Sequence, residues 1–213
     1  MRPPESWQRA RATLVIAGAT ALAWLIAVGS GAENYAALWG GFIPLRVSAE
    51  AVGVALAPVA LTPLTATLVH SGFAHLALNL LIFLFCGRAI EGILGARGIV
   101  ILYIVGAYAA AAAHYLVNSA ETVPMVGASG AISAVIGAYA MMFGRNRVKV
   151  ANPTVALLLN ALWLAAAWVA LQLMVGITFT TAGARIAIAA HIGGFLIGLL
   201  LAKPLLLLRY RGA

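Results

Sequence analysis

Long apolar stretches alternate along the chain with short groups of charged and turn residues. About 20 apolar residues in a helix are needed to cross ~30 Å of hydrocarbon. The pattern predicts six membrane spans, which cover residues 13–30, 72–87, 98–117, 129–143, 153–176 and 186–202. The predicted fold is an all-α membrane protein, a bundle of six transmembrane helices in a single domain over residues 1–213. The first stretch also has features of a secretory signal, but its apolar part exceeds the typical ~7–15 residues, which favours a retained helix.

The connection between the first two predicted spans, residues 31–69, is too long for a turn and too apolar for a solvated loop. It contains Tyr35, Trp39, Phe42 and Pro44. Aromatic side chains are enriched at the membrane–water interface. The segment is therefore predicted to be embedded in the membrane interface, with an ordinary exofacial loop as the alternative.

Composition excludes several classes of protein. Hydrophobic residues make up 64% of the chain and charged residues 8%, whereas a soluble domain carries about 25% charge. A soluble globule, a disordered tail and a nucleic-acid-binding module are thus excluded. The chain has no Asp, so a paired-aspartate protease and a strict Ser-His-Asp triad are excluded too. The single cysteine, Cys86, can form no intramolecular disulfide.

The net charge of +8 is explained by topology. Two basic residues, Arg46 and Arg185, fall on one side of the predicted spans. The other side carries Arg2, Arg9, Arg11, Arg88, Arg97, Arg145, Arg147, Lys149, Lys203, Arg209 and Arg211. Cytoplasmic loops carry the excess of Lys and Arg, so both termini are predicted to be cytoplasmic.

Three segments place polar side chains inside predicted spans, where such groups are costly and usually functional. They cover residues 70–79, 127–130 and 190–198. At 1.5 Å per residue, Ser129, His191 and His75 lie about 17 to 21 Å above the cytoplasmic ends of their spans. All three residues are therefore predicted to lie at nearly the same depth, in the outer half of the bilayer. Residues 129–143 cover only about 22 Å, so the loop before them is predicted to enter the membrane. Irregular backbone is tolerated there only beside protein or water, so we expect a cavity that water can reach.

Ser129 would begin a helix, with Gly127 and Gly130 beside it. Unpaired N–H groups and the helix dipole favour negative charge at such a position, which suits a tetrahedral oxyanion. Glycines would let a substrate approach closely. The alternative is a serine that merely caps its helix, with the glycines in a tight turn.

His191 is a candidate general base for Ser129 if the fourth and sixth spans touch. Gly194 and Gly198 share its helix face, and small residues allow helices to approach closely in lipid. A packing histidine is the alternative. His75 and Asn79 share a face of the second span and could donate hydrogen bonds to an oxyanion.

The other polar residues are assigned structural roles. His70 would anchor the preceding loop, and His114 would be structural. A zinc site built from His70, His75 and His191 is disfavoured because H-E-x-x-H is absent and no carboxylate is nearby. No metal or other cofactor is predicted. Glu91 would pair with Arg88 or cap a helix.

The order of three motifs resembles that of the rhomboid intramembrane serine proteases. The motifs are H-x4-H-x3-N from His70, G-A-S-G from Gly127, and A-H-x2-G-x3-G from Ala190. The resemblance runs from about Thr65 to Gly198 and includes Gly87-x3-Glu91-x3-Gly95.

The resemblance implies a rhomboid-like bundle with a supporting first loop. It implies Ser129 as nucleophile, His191 as base, and His75, Asn79 and the Ser129 N–H as oxyanion hole. The implied substrates are single-pass membrane proteins, cleaved near the outer face of the bilayer. The short loops and the lack of an appended domain favour a prokaryotic plasma membrane, with the membrane of an organelle as the alternative. The sequence does not determine the oligomeric state.

The chain departs from the family pattern at two places. Leu61-Thr62 replaces a frequent Trp-Arg pair, and Ser133 stands where some members have an aromatic beneath the base. The second change predicts a base that is held less rigidly.

Two alternatives to a protease stay open. One is an inactive rhomboid-like protein that binds membrane clients, and the other is a small transporter, although the chain shows neither duplicated halves nor a midplane carboxylate.

Overall fold

A computed structural model describes residues 10–48, 56–144, 150, 152–181 and 187–211. Within these ranges the regular secondary structure is helical, with α-helices and short 3-10 helices (Pro44–Val47, Val59–Leu61 and Ala66–Leu68) joined by turns and loops, and one isolated β-bridge pairs Phe42 with Met125. The helices are α1 (Arg11–Gly29), α2 (Glu33–Gly40), α3 (Thr62–Thr65), α4 (Phe73–Asn118), α5 (Ser129–Phe143), α6 (Pro153–Thr181) and α7 (Ile188–Arg209). The predicted all-α fold is confirmed for the described residues.

Four helices, α1, α4, α6 and α7, are long and apolar enough to cross a membrane. The 46 residues of α4 contain two predicted spans, and the backbone departs from helical geometry between them, at Gly95. Helix α7 continues past the predicted end at Ala202 and accommodates Pro204. The count of six spans stays a prediction.

The predicted orientation also stays a prediction. It depends partly on basic residues that lie outside the described ranges, which are Arg2, Arg9, Arg145, Arg147, Lys149 and Arg185.

Helix α5 lies in the core of the bundle. It packs against both α4 and α7, which also pack against each other, and residues Gly130 to Val135 are all buried. Helix α6 contacts mainly α7, and many of its apolar side chains, such as Leu158 and Trp163, stay exposed. A helix whose exposed face is apolar is suited to lipid.

The start of α1 is bound to the middle of α4. The carboxylate of Glu91 is buried and accepts hydrogen bonds from the N–H groups of Ala12 (2.9 Å) and Thr13 (2.7 Å) and from the Thr13 hydroxyl (2.7 Å). These N–H groups belong to the first turn of α1, which lacks acceptors within its own helix. Of the two roles predicted for Glu91, the structure therefore shows capping, and the capped helix is α1.

Glycines on either side of Glu91 allow two further contacts. A Cβ at Gly87 would lie 2.9 Å from Cγ2 of Thr13, so glycine permits the close approach of α1. Gly95 has φ of +75°, which favours glycine, and a Cβ there would lie 2.9 Å from the Arg209 guanidinium. Arg209 also donates a hydrogen bond to the Glu91 carbonyl at 3.3 Å, which ties the end of α7 to the same turn.

The first loop supports the loop that precedes α5. Phe42 and Met125 exchange backbone hydrogen bonds of 3.0 and 2.8 Å, and the N–H of Leu45 donates to the Glu121 carbonyl at 3.1 Å. Tyr35 and Trp39 of α2 are exposed. Residues 49–55 of this loop lie outside the described ranges, and its place in the membrane interface stays a prediction.

We expect Glu91→Gln to lower the free energy of unfolding by about 2 kcal/mol. The amide keeps one acceptor oxygen but loses the charge that stabilises the N-terminus of α1, and its NH₂ group would face N–H donors. Thermal unfolding in detergent measures the effect.

Glu33→Gln is the matched control, because Glu33 is an exposed carboxylate in the first turn of α2. Its loss should cost at most about 1 kcal/mol. Equal stability of the two variants would show that the cap on α1 contributes no more than an exposed charge.

Candidate active site

Ser129 is the first residue of α5, and its side chain does not cap the helix. The N-cap position is Ala128, which has no side-chain cap hydrogen bond. The Ser129 hydroxyl lies instead 2.8 Å from Nε2 of His191, on α7. This is the distance of a strong hydrogen bond, in which the hydroxyl donates when Nε2 carries no proton. Both residues are half-buried and keep part of their surface exposed.

Glycines bring α5 and α7 together. Gly194 lies against the Gly130 carbonyl, and Gly198 lies against the Ala134 carbonyl. From the α5 side, Gly137 lies against the Phe195 carbonyl. A Cβ at Gly137, Gly194 or Gly198 would overlap a backbone oxygen of the neighbouring helix. The spacing of the two backbones, and hence the hydrogen bond between Ser129 and His191, depends on these positions.

Two residues of α6 contact His191, one at its ring and one at its backbone carbonyl. Nδ1 of His191 lies 3.1 Å from Oε1 of Gln172, and the His191 carbonyl accepts a hydrogen bond from the Trp168 indole at 3.2 Å. The Trp168 ring stacks on Phe195 at 4.7 Å with an interplanar angle of 7°. Neither Gln172 nor Trp168 is among the site residues predicted from the sequence. The available signal was that Gln172 is one of the few polar residues in an apolar span, where a polar side chain is costly.

His75 lies beside the loop that leads into Ser129. A Cβ at Gly127 would come within 2.7 Å of both Cε1 and Nε2 of the His75 ring. Gly127 also has φ of +110°, a conformation that favours glycine, so both the backbone and the lack of space beside His75 require glycine there. Nδ1 of His75 lies 3.0 Å from the Ser71 hydroxyl. The buried Asn79 uses one amide N–H within its own helix, in a 3.0 Å bond to the His75 carbonyl.

His70 is buried and contacts the residue before Ser129. Its Nε2 accepts a 3.4 Å hydrogen bond from the Ala128 N–H, and its ring centroid lies 4.9 Å from that of His75. Burial, with a smaller contribution from the nearby His75, lowers the pKa of His70 to about 4. The imidazole is therefore neutral at pH 7, as an acceptor nitrogen must be.

His114 is also buried, near the end of α4. Its Nδ1 lies 3.3 Å from the side-chain amide of Asn118, and its Nε2 lies 3.8 Å from the Glu121 carboxylate. These contacts join α4 to the loop before α5. Across the described ranges, no three His, Cys, Asp or Glu side chains are grouped in a way that could hold a metal ion.

The structure thus defines a helical membrane protein in which a serine hydroxyl and an imidazole meet at the start of a buried helix. The sequence-family model of the Rhomboid domain matches residues 60–208, more than half of the chain. The protein belongs to the rhomboid family, whose members are generally intramembrane serine proteases. No curated protein sequence matches the chain.

We expect Gly198→Ala to destabilise the protein by about 1–3 kcal/mol, the usual cost of extra volume at a tight contact. The new methyl group would meet the Ala134 carbonyl and push α7 away from α5. Thermal unfolding in detergent tests this expectation.

Gly18→Ala is the matched control. Gly18 lies on α1, and a Cβ there would meet nothing within 4 Å. The change should be neutral or stabilising by up to about 1 kcal/mol, because alanine favours the helix. A Gly198→Ala variant as stable as Gly18→Ala would contradict the role given to this contact.

Proposed function

We propose that the protein is an intramembrane serine endopeptidase that cleaves the transmembrane segments of single-pass membrane proteins. The observation that carries the proposal is the 2.8 Å separation of the Ser129 hydroxyl and His191 Nε2. It occurs at the N-terminus of α5, where the first N–H groups have no acceptor within the helix. Membership of the rhomboid family supports the same activity.

The reaction follows from these groups. The Ser129 oxygen attacks the carbonyl carbon of the scissile bond while His191 Nε2 takes the hydroxyl proton. The imidazolium then returns this proton to the leaving amine as the C–N bond breaks. Water attacks the resulting ester, with His191 as base again, and regenerates the free serine. No cofactor takes part in these steps.

Negative charge develops on the substrate oxygen in each tetrahedral intermediate. The Ser129 N–H lies at the positive end of α5 and is suited to receive it. We assign His75 and Asn79 to the same oxyanion hole. The support for His75 is its ring edge beside Gly127, and for Asn79 its place one turn further along the same face of α4. His70 and Gly127 keep the loop before Ser129 in position.

The proposed reaction takes place near the outer face of a prokaryotic plasma membrane. Ser129, His75 and His191 are half-buried, so each keeps some exposed surface, as attack by water and contact with a substrate require. A substrate helix must unwind locally to expose its carbonyl groups. Substrates with weak helices near the outer face of the membrane therefore suit this site best.

Ser129→Ala should abolish cleavage of a model transmembrane substrate and labelling by a fluorophosphonate, since both require the serine oxygen. Purified protein in detergent is the material for both assays. Ser30→Ala is the control, because Ser30 is an exposed serine at the end of α1, and it should keep both activities. A folded wild-type protein that binds the substrate but neither cleaves nor labels would contradict the proposal and support a client-binding role.

His75→Ala should lower kcat by about 10² to 10³, the usual cost of removing one oxyanion-hole donor. His75→Gln keeps a side-chain N–H and should recover part of the rate. Steady-state kinetics with the same substrate measures both. Turnover of His75→Ala equal to that of the wild type would remove His75 from the oxyanion hole.

A further inference from the structure

Gln172 is a buried polar side chain on a helix with few others. Most described side chains of α6 are apolar, and many are exposed, whereas Gln172 is 6% exposed. Burial of an amide costs free energy unless it is hydrogen-bonded. Its oxygen lies 3.1 Å from Nδ1 of His191, so the amide faces the imidazole on the side opposite Ser129.

We propose that Gln172 is a positioning residue for the reaction, one that fixes the tautomer and orientation of His191. The inference rests on the proposed function, because it assigns His191 as the base. The Gln172 oxygen accepts a hydrogen bond from Nδ1–H, which keeps the proton on Nδ1 and leaves Nε2 with a free lone pair toward the Ser129 hydroxyl. Gln172 thus takes the place that a carboxylate occupies in a Ser-His-Asp triad.

The tautomer decides whether the pair can react. A neutral imidazole carries one proton, and only the nitrogen without it can accept the proton of Ser129. A protonated Nε2 would face the hydroxyl as a donor and could not act as base. When His191 takes the serine proton, both ring nitrogens become donors, and the amide oxygen of Gln172 keeps its bond to the imidazolium.

A second pair of contacts holds the amide in place. Trp168 and Gln172 are four residues apart on α6, and His191 and Phe195 are four residues apart on α7. The Trp168 ring stacks on Phe195 while its indole N–H bonds to the His191 carbonyl. Stacked rings lock their rotamers, so the two helices meet in one register and Gln172 stays opposite Nδ1.

An amide is also the acceptor that a membrane site can best accommodate. A charged side chain within a membrane span is far more costly than a hydrogen-bonded neutral one. The chain contains no Asp. Gln172 supplies the acceptor without an ionised group opposite the base.

The kinetic test compares wild type, Gln172→Leu and Gln172→Glu in detergent with one transmembrane substrate. We expect Gln172→Leu to lower kcat at least 10-fold, part of the ~10²–10⁴ that a positioned base supplies, with KM within about twofold. Gln172→Glu restores an acceptor and should recover activity. Its carboxylate also stabilises the imidazolium, so the acid limb of its pH–rate profile should move to higher pH.

Asn160→Leu is the matched control, because Asn160 is a buried amide on the same helix and bonds to the Ala156 carbonyl. It lies twelve residues from Gln172, about 18 Å along the helix. We expect its kcat and pH–rate profile to match those of the wild type. A Gln172→Leu variant with wild-type kcat would overturn the proposal, and so would a Gln172→Glu variant with the same kcat and pH–rate profile as Gln172→Leu.

A spectroscopic readout tests the proposal without turnover. Long-range ¹H–¹⁵N spectra of histidine-labelled protein report which ring nitrogen carries the proton, and loss of one signal in His191→Asn assigns His191. We expect the Nδ1–H tautomer in the wild type and its loss in Gln172→Leu. An unchanged tautomer in Gln172→Leu would overturn the positioning role, whereas absent cleavage with the expected tautomer would overturn only the proposed function.

Discussion

The close approach of α5 and α7 is the constraint on which the rest of the site depends. Helices in lipid gain little from the hydrophobic effect when they associate, so they rely on close packing of small residues. Here Gly194 and Gly198 bring α7 directly onto the carbonyl groups of α5. Ser129 lies next to Gly130, and His191 lies one turn before Gly194, so the same contact sets the distance between hydroxyl and imidazole.

The irregular chain before Ser129 is the second condition. Backbone polar groups away from water need partners, and the N–H groups of Met125, Gly127 and Ala128 each have one. Two of the acceptors are the Phe42 and Ala66 carbonyls of the first loop, and the third is the imidazole of His70. The first N–H groups of α5 follow directly in the chain and have no acceptor within the helix, as the proposed oxyanion hole requires.

Helix positions were predictable where the apolar pattern is bounded by turn residues. The predicted span 129–143 is identical to α5 because glycines and prolines border it. The contacts of Gln172 and Trp168 were not predictable, because the few polar residues of α6 do not indicate which helix its buried face meets. Capping by Glu91 was among the roles predicted from the sequence. The identity of the capped helix, α1, was not predictable, because the sequence does not say which helix supplies the donors.

The two departures from the family pattern have different consequences. Thr62 bonds to the Val59 carbonyl within its own turn at 2.7 Å, and Leu61 is exposed, so neither reaches the site. Ser133 bonds to the Ser129 carbonyl at 2.8 Å and places no ring beneath the base. The sequence alone predicts a looser base, yet in the structure His191 is bound from α6 at both its ring and its carbonyl. The orientation of the imidazole therefore depends on where α6 lies against α7, in addition to the packing of α7 against α5.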